Sequence, residues 1–262
     1  MPLPLISVVI NTHNGEKFIK KSIKSALNQT YKNLEIIIFD NNSSDNTQDL
    51  VKNFKDKRLR YFKSKKYLKL YDARNKAVEK SKGIYLAFLD SDDWWIPGKI
   101  KTQFNYLKKK DLKIVFSNYF IYKDDTKKKQ IYTNRKLPEG NISQVLLNKY
   151  DVAVQTVLIK TELLKAKKFN KKYEIIGDFD FFMNLSLKMP FGSIQKPLAY
   201  YRLHGENFSI KKIQLHADEM QHWITKNKKK FEKKKLNIQA QKNYLKKLKI
   251  RGLFNKLIKK GV

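Results

Sequence analysis

Two carboxylates one residue apart, Asp90 and Asp92, stand in the run Asp90-Ser91-Asp92-Asp93. Acids so close repel each other unless a cation sits between them. Hard oxygen ligands suit Mg²⁺ or Mn²⁺, which keep waters and substrate phosphates in their remaining positions. The plainer reading is a helix cap, and Asp93 is placed to cap the helix that follows Pro97. A second acidic pair lies in Gly177-Asp178-Phe179-Asp180, at the start of a helical pattern. There a carboxylate either acts as a general base or only complements the helix dipole. Tyr201-Arg202-Leu203-His204 brings a guanidinium and an imidazole into one segment. His204 suits a metal or a phosphate oxygen, or is a surface residue, and Arg202 is equally an ion-pair partner within the fold. His216 and His222 are remote from His204 and six residues apart, so no zinc-site spacing appears.

These groups need strands and helices to position them. Leu5 to Ile10 is an apolar run of strand length, and it ends in Asn11-Thr12-His13-Asn14-Gly15. Phe18, Ile19, Ile23, Ala26 and Leu27 recur at helical spacing. Leu34 to Phe39 is a second strand ending at Asp40, with N-cap chemistry in Asn41 to Ser44 for a helix carrying Leu50, Val51 and Phe54. Arg58 to Phe62 reads as a short strand, Asp72 to Lys80 as a helix, and Ile84 to Leu89 as a strand that stops at Asp90. Near-continuous apolar strands alternating with helices predict an α/β fold, a mostly parallel central sheet with helices on both faces. In such a sheet ligands bind beyond the carboxyl ends of the strands, which here are polar.

The later chain is looser. A helix is expected from Pro97 to Lys108, a strand from Ile114 to Tyr122, and a hairpin or loop over Lys123 to Lys136. Gln155 to Ile159 predicts a short strand, Asp178 to Lys188 a helix, and Ser193 to Tyr201 another strand. Trp94-Trp95 reads first as core and second as a wall for a sugar ring. After Ser209 the chain is helical and basic, with Ile250, Leu253, Phe254, Leu257 and Ile258 on one face of its last helix.

Of 262 residues, 57 are Lys or Arg and 24 are Asp or Glu, a net charge of +33, yet only six of the basic residues are Arg. Phosphate-reading surfaces lean on the bidentate fork of Arg, so a Lys-dominated excess is a weak sign of nucleic-acid binding. At 41% hydrophobic residues the chain affords a core. The absence of Cys excludes disulfide scaffolds and thiolate metal sites. No apolar run reaches membrane-spanning length, and the N-terminal run lacks a basic leader, so a cytoplasmic location is expected. Neither a G-x-G-x-x-G nor a G-x-x-x-x-G-K-[ST] motif occurs, which leaves a nucleotide to be held by side chains and a metal.

Taken in order, Ser7 to Asn14, Gln29-Thr30-Tyr31, Glu35 to Thr47, Ala73-Arg74-Asn75-Lys76-Ala77 and Gly83 to Asp93 resemble family 2 glycosyltransferases of the GT-A fold. The match spans about the first 100 residues. The resemblance implies a Rossmann-like nucleotide-sugar half, residues 1–100, and an acceptor half, residues 101–209, followed by a basic amphipathic tail, residues 210–262. It places Thr12, His13 and Asn14 around the nucleotide, Asp40 against the base, Arg74 beside the nucleotide, and Asp90 and Ser91 in the D-x-D motif. Asp92 then holds Mg²⁺ or Mn²⁺, His204 adds a ligand, and Asp178 is the base of an inverting transfer, with Asp180 its rival.

Gly177 replaces the Glu common before that base, and Asn184 replaces a basic residue often found six positions after it. The implied donor is a nucleoside diphosphate sugar, commonly a UDP-sugar, and the acceptor is a hydroxyl of a glycan or lipid-linked saccharide in cell-envelope synthesis. The tail then suits an anionic surface on the inner face of the cytoplasmic membrane. A sugar nucleotidyltransferase is the enzymatic rival, but Asn11 to Glu16 offers only Gly15 for a phosphate loop. A basic nucleic-acid-binding protein is the other, although no specific nucleic acid is expected.

Overall fold

A computed structural model describes residues 2–260, with side chains described except at residues 209, 210 and 254–260. The chain runs β1 (Ile6–Thr12), α1 (Ile19–Leu27), β2 (Leu34–Asp40), α2 (Thr47–Lys52), β3 (Leu59–Lys63), α3 (Leu70–Glu79) and β4 (Tyr85–Asp90). It continues through β5 (Trp94–Trp95), α4 (Lys99–Lys110), β6 (Ile114–Lys123), β7 (Lys129–Ile131), α5 (Ser143–Asn148) and a 3₁₀ turn at Val154–Thr156. Then come β8 (Leu158–Lys160), α6 (Thr161–Ala166), α7 (Gly177–Ser186), β9 (Gly192–Leu203), α8 (Phe208–Lys211), α9 (Ile213–Lys233) and α10 (Gln239–Lys260).

One sheet orders these strands β3-β2-β1-β4-β8-β6-β9-β5, with β7 added to β6 as the predicted hairpin. Strands β3, β2, β1 and β4 are parallel, and β6 with β9 form a second parallel pair. Between them β8 runs antiparallel to both neighbours. The expected strand at Gln155 to Ile159 is therefore shorter and later, because Val154 to Thr156 is a 3₁₀ turn. Register brings Asn11 beside Asp90 and Thr12 beside Asp40, so the polar ends of the parallel strands meet along one edge.

The strand period of two divides the apolar residues between two cores. Val8, Ile10, Ile36 and Ile38 face α1, α2 and α4, whereas Val9, Ile37 and Phe88 face α3, α7 and the C-terminal helices. Trp95 is buried in the first group as expected, and Trp94 stacks on Tyr200 at 4.7 Å with Lys21 Nζ 3.4 Å above its ring.

The segment after Ser209 is helical, and its packing does not break at that residue. Ala217, Met220, Trp223, Ile224, Phe231, Leu245 and Leu248 are buried in the same cluster as Tyr71, Phe88 and Phe181. Glu219 reaches from α9 to accept hydrogen bonds from the backbone N–H groups of Glu174 (2.6 Å), Ile175 (2.9 Å) and Ile176 (3.1 Å), just ahead of α7. On α10, Ile250 and Leu253 are exposed, while Phe254, Leu257 and Ile258 lie outside the described side chains. Among the described residues no helix is long and apolar enough to cross a membrane.

Trp223→Ala is expected to remove about 3–5 kcal/mol of stability in a denaturant titration, the range for deleting a large buried aromatic. Leu253→Ala should stay within about 0.5 kcal/mol of the parent.

Candidate functional site

The ends of β1 and β4, the start of α7 and the segment after β9 enclose a cleft of about 690 Å³. Thr12, His13, Asn14, Arg74, Asp90, Ser91, Asp92, Asp178 and His204 all line it, so residues from distant parts of the sequence converge.

Asp40 is the exception. It lies on the face of β2 that carries Ile36 and Ile38, turned toward α1 and α2, and it is fully buried. Its Oδ1 accepts from the Ser43 N–H (2.7 Å) and its Oδ2 from the Tyr61 hydroxyl (2.5 Å). Those two bonds fix the turn after β2. Asn41, one residue on, lies on the cleft and holds residue Leu68 through Nδ2→O (2.8 Å) and N→Oδ1 (2.9 Å) bonds. That fastening sets the loop carrying Tyr67, whose ring meets His13 edge-on at 4.8 Å. His13 Nδ1 donates to Asn41 O (2.9 Å).

Asn14 takes a left-handed backbone (φ 50°), which Asn tolerates better than most residues. Its side chain accepts from the Ser44 N–H and its own N–H donates to Ser43 Oγ, locking the loops after β1 and β2 together. On the floor, the Thr12 hydroxyl and both polar atoms of the Asn11 amide are buried with no partner in the protein.

Asp90 shares the strand face of Phe88 and points toward α3, where its Oδ1 accepts from Arg74 Nη2 at 2.5 Å. Arg74 is buried; burial opposes its charge, but Asp90, Tyr71 and Asp178 together keep the guanidinium protonated. Asp92 instead meets His204, Oδ2 to Nε2 at 3.0 Å. Asp93 does not cap the helix after Pro97, since Gly98 holds that position without a side-chain bond. It is buried, one oxygen accepts from the Arg202 N–H (2.8 Å) and the other has no partner. Burial, then Asp92 and Asp90, push its carboxyl well above the usual range. Arg202 is a structural clasp: Nε donates to Asp92 O (2.8 Å), Nη1 to Asp124 Oδ1 (2.5 Å), and its plane lies 4.4 Å from the Phe18 ring centre.

The two acids of α7 part company. Asp178 faces the cleft, and Tyr71 hydroxyl lies 2.8 Å from its Oδ1. Asp180 turns toward α9, and its Oδ1 accepts from Trp223 Nε1 of α9 and from Asn184 Nδ2 one turn along α7, each at 3.0 Å. Lys230 of α9 reaches Asn184 Oδ1, so a cation stands near the position where the resemblance expects a basic residue. Burial raises the Asp178 carboxyl above the ordinary carboxylate range, while Arg74 and Tyr71 pull the other way.

Among the described residues no three His, Cys, Asp or Glu groups gather into a metal cage. The Asp92–His204 pair still fits a hard cation, since two adjacent ligands with bonds of about 2.1 Å in an octahedral shell stand about 3 Å apart. Such a cation would draw its remaining ligands from water and phosphate. Sequence reasoning missed Tyr67, Tyr71 and Gln155 on the cleft wall. Only Tyr71 carried a signal, three residues before Arg74 and so on the same helix face.

Residues 7–187 match the family described as Glycosyl transferase family 2. The chain is 34% identical over 215 residues to the Escherichia coli UDP-Glc:alpha-D-GlcNAc-diphosphoundecaprenol beta-1,3-glucosyltransferase WfaP, covering 80% of this chain and 82% of that one. It is 32% identical over 243 residues to an uncharacterised glycosyltransferase of Methanocaldococcus jannaschii, covering 88% and 83%. Among solved structures, residues 1–349 of S. aureus TarS in complex with UDP-GlcNAc superpose with a TM-score of 0.65 at 19% identity. That superposition covers 82% of this chain and 66% of TarS 1–349, just under two thirds of the solved fragment.

A carboxyl whose folded-state pKa is raised favours folding below its unfolded pKa, and that contribution is lost as pH rises through the folded value. Asp178→Asn is therefore expected to raise the melting temperature near pH 7.5. The gain should vanish as pH falls below the ordinary carboxylate range, as thermal scans across pH will measure.

Proposed function

Because the chain belongs to glycosyl transferase family 2 and is a glycosyltransferase of GT-A fold, we propose that its cleft takes a UDP-sugar and passes the sugar, with inversion, to a hydroxyl of a lipid-linked saccharide. The observation that carries this reading is the convergence of the Asp92–His204 pair, the Arg74–Asp90 pair and Asp178 on the lining of a single cleft. The activity named for WfaP, a UDP-Glc:alpha-D-GlcNAc-diphosphoundecaprenol beta-1,3-glucosyltransferase, supports the classes of donor and acceptor.

In this reading the His13–Tyr67 pair takes the face of the base, while the unpartnered Asn11 amide and Thr12 hydroxyl take polar edges of the nucleoside. Asp92 and His204 would hold Mg²⁺ or Mn²⁺, which when bound neutralises charge on the diphosphate leaving group. Ser91 and Asp90 line the path between nucleotide and reacting carbon, and Asp90 is kept from the phosphates' negative charge by its bond to Arg74. Asp178 accepts the proton of the acceptor hydroxyl as that oxygen attacks the anomeric carbon from the face opposite the diphosphate. Its raised affinity for a proton suits it to that step.

The domain reading follows the chemistry: residues 1–100 bind the nucleotide, residues 101–209 present the acceptor, and residues 210–262 brace the second half. The exposed Ile250 and Leu253, set among Lys246, Lys247, Lys249 and Arg251, give α10 a face suited to anionic lipid at the inner side of the cytoplasmic membrane.

Asp178→Asn should lower transfer by about 10²–10⁴-fold and leave donor binding intact. Asp92→Ala should abolish the Mn²⁺-dependent part of UDP binding in calorimetry; binding equal with and without Mn²⁺ in the parent would remove the metal from this scheme. For the membrane face, the parent should float with phosphatidylglycerol-rich vesicles and the Ile250→Asp, Leu253→Asp double variant should not. Because α9 is core, deletion from residue 210 would report unfolding instead of docking.

A further inference from the structure

We propose that Tyr71 is a positioning residue for Asp178, holding that carboxyl in place in both of its protonation states, and that the missing side chain of Gly177 is what makes room for it. The proposal rests on the reading of Asp178 as the proton acceptor and adds the device that orients it.

Tyr71 stands on α3 with 1% of its surface exposed. Its hydroxyl lies 2.8 Å from Asp178 Oδ1 and 2.9 Å from the carbonyl oxygen of Ile175. A phenol carries one hydrogen and can also accept. When Asp178 is ionised, Tyr71 donates to Oδ1, with the Ile175 carbonyl oxygen beside it as a second acceptor. The acceptor hydroxyl's proton goes to the other carboxyl oxygen, Oδ2, so once Asp178 is protonated Oδ1 is a carbonyl oxygen and Tyr71 goes on donating to it. No heavy atom has to move between the two states. Tyr71 never gives up its proton; the one on Asp178 comes from the acceptor hydroxyl and leaves to solvent.

Both ends of this device are fixed. Glu219 binds the N–H groups of Glu174, Ile175 and Ile176, which pins the peptide whose carbonyl Tyr71 uses. On the other side the ring fills the space over Gly177: a Cβ there would stand 2.5 Å from Tyr71 Cε2, with other ring carbons as close. A side chain at position 177 would therefore force the Tyr71 ring to shift. The charged and titratable groups facing Asp178 are Arg74 and Tyr71 from α3, Asp90 from β4 and Tyr150 from the segment before the 3₁₀ turn. Arg74 alone among them is a cation, and its guanidinium lies 5.3 Å from the Tyr71 ring centre.

The test is a ¹³C-carboxyl NMR titration of the whole protein, with Asp178 identified by the signal lost in Asp178→Asn, beside the pH dependence of UDP-glucose turnover with Mn²⁺. A charge-assisted bond favours the ionised form, so its loss in Tyr71→Phe should move the Asp178 midpoint upward. The acid limb of kcat should follow, with kcat near neutrality down about tenfold and the donor KM unchanged. Gly177→Ala, which displaces the ring without deleting the hydroxyl, should shift the midpoint the same way and serves if Tyr71→Phe is poorly folded. A folded Tyr71→Phe with an unmoved midpoint and an unmoved acid limb overturns the proposal. Full turnover by Asp178→Asn would instead overturn the reading of Asp178 as the base, an outcome separable from the NMR shift.

Discussion

A buried guanidinium must be matched by carboxylates at close range, because an uncompensated charge out of water costs several kcal/mol. Arg74 imposes that condition on everything around it. Its side chain is only 5% exposed. Satisfying it draws Asp90 toward α3, fixes how α3 sits across β1 and β2, and keeps Asp178 within electrostatic reach from α7. With Asp90 committed there, Asp92 is left to face His204 across the mouth of the cleft. Asp90 and Asp92 thus have different partners, a guanidinium for one and an imidazole for the other. Each pairing follows from what the neighbouring elements bring within reach.

How far sequence alone could reach depended on whether a feature was local. The strands β1, β2 and β4 were readable because fully buried parallel strands need continuous apolar runs. The convergence of Asn11 to Asn14 with Asp90 to Asp92 followed from those strands being neighbours. The partners of Asp40 were not readable, because it ends its strand as Asp90 does yet belongs to the opposite face, toward Tyr61. Strands of two and three residues, β5 and β8, carry too few side chains for a period to show. That Asp180 turns away from the cleft depends on Trp223, 43 residues downstream, which no spacing rule connects to it.

The charge shows the same division. A net +33 spread mostly over lysine looked like a property of the whole chain, and the basic C-terminal stretch like an appendage. Within α9 the lysines screen from view the buried face formed by Ala217, Met220, Trp223 and Phe231, which closes the core behind α7. Its lysines lie mainly on the outer face, and Lys230 extends to Asn184. A segment can be strongly basic and still be structural when its apolar residues recur at the helical period.

The contact of Glu219 with the peptides before α7 carries a consequence for the life of the chain. Synthesis delivers residues in order, and the nucleotide-facing loops are complete long before Glu219 is made. The carbonyl of Ile175 is held only after α9 has folded back across a sequence separation of more than forty residues. A growing chain can therefore pair β1 to β4 early, yet the turn ahead of α7, which carries that carbonyl, stays unbraced until α9 has been made and has folded back.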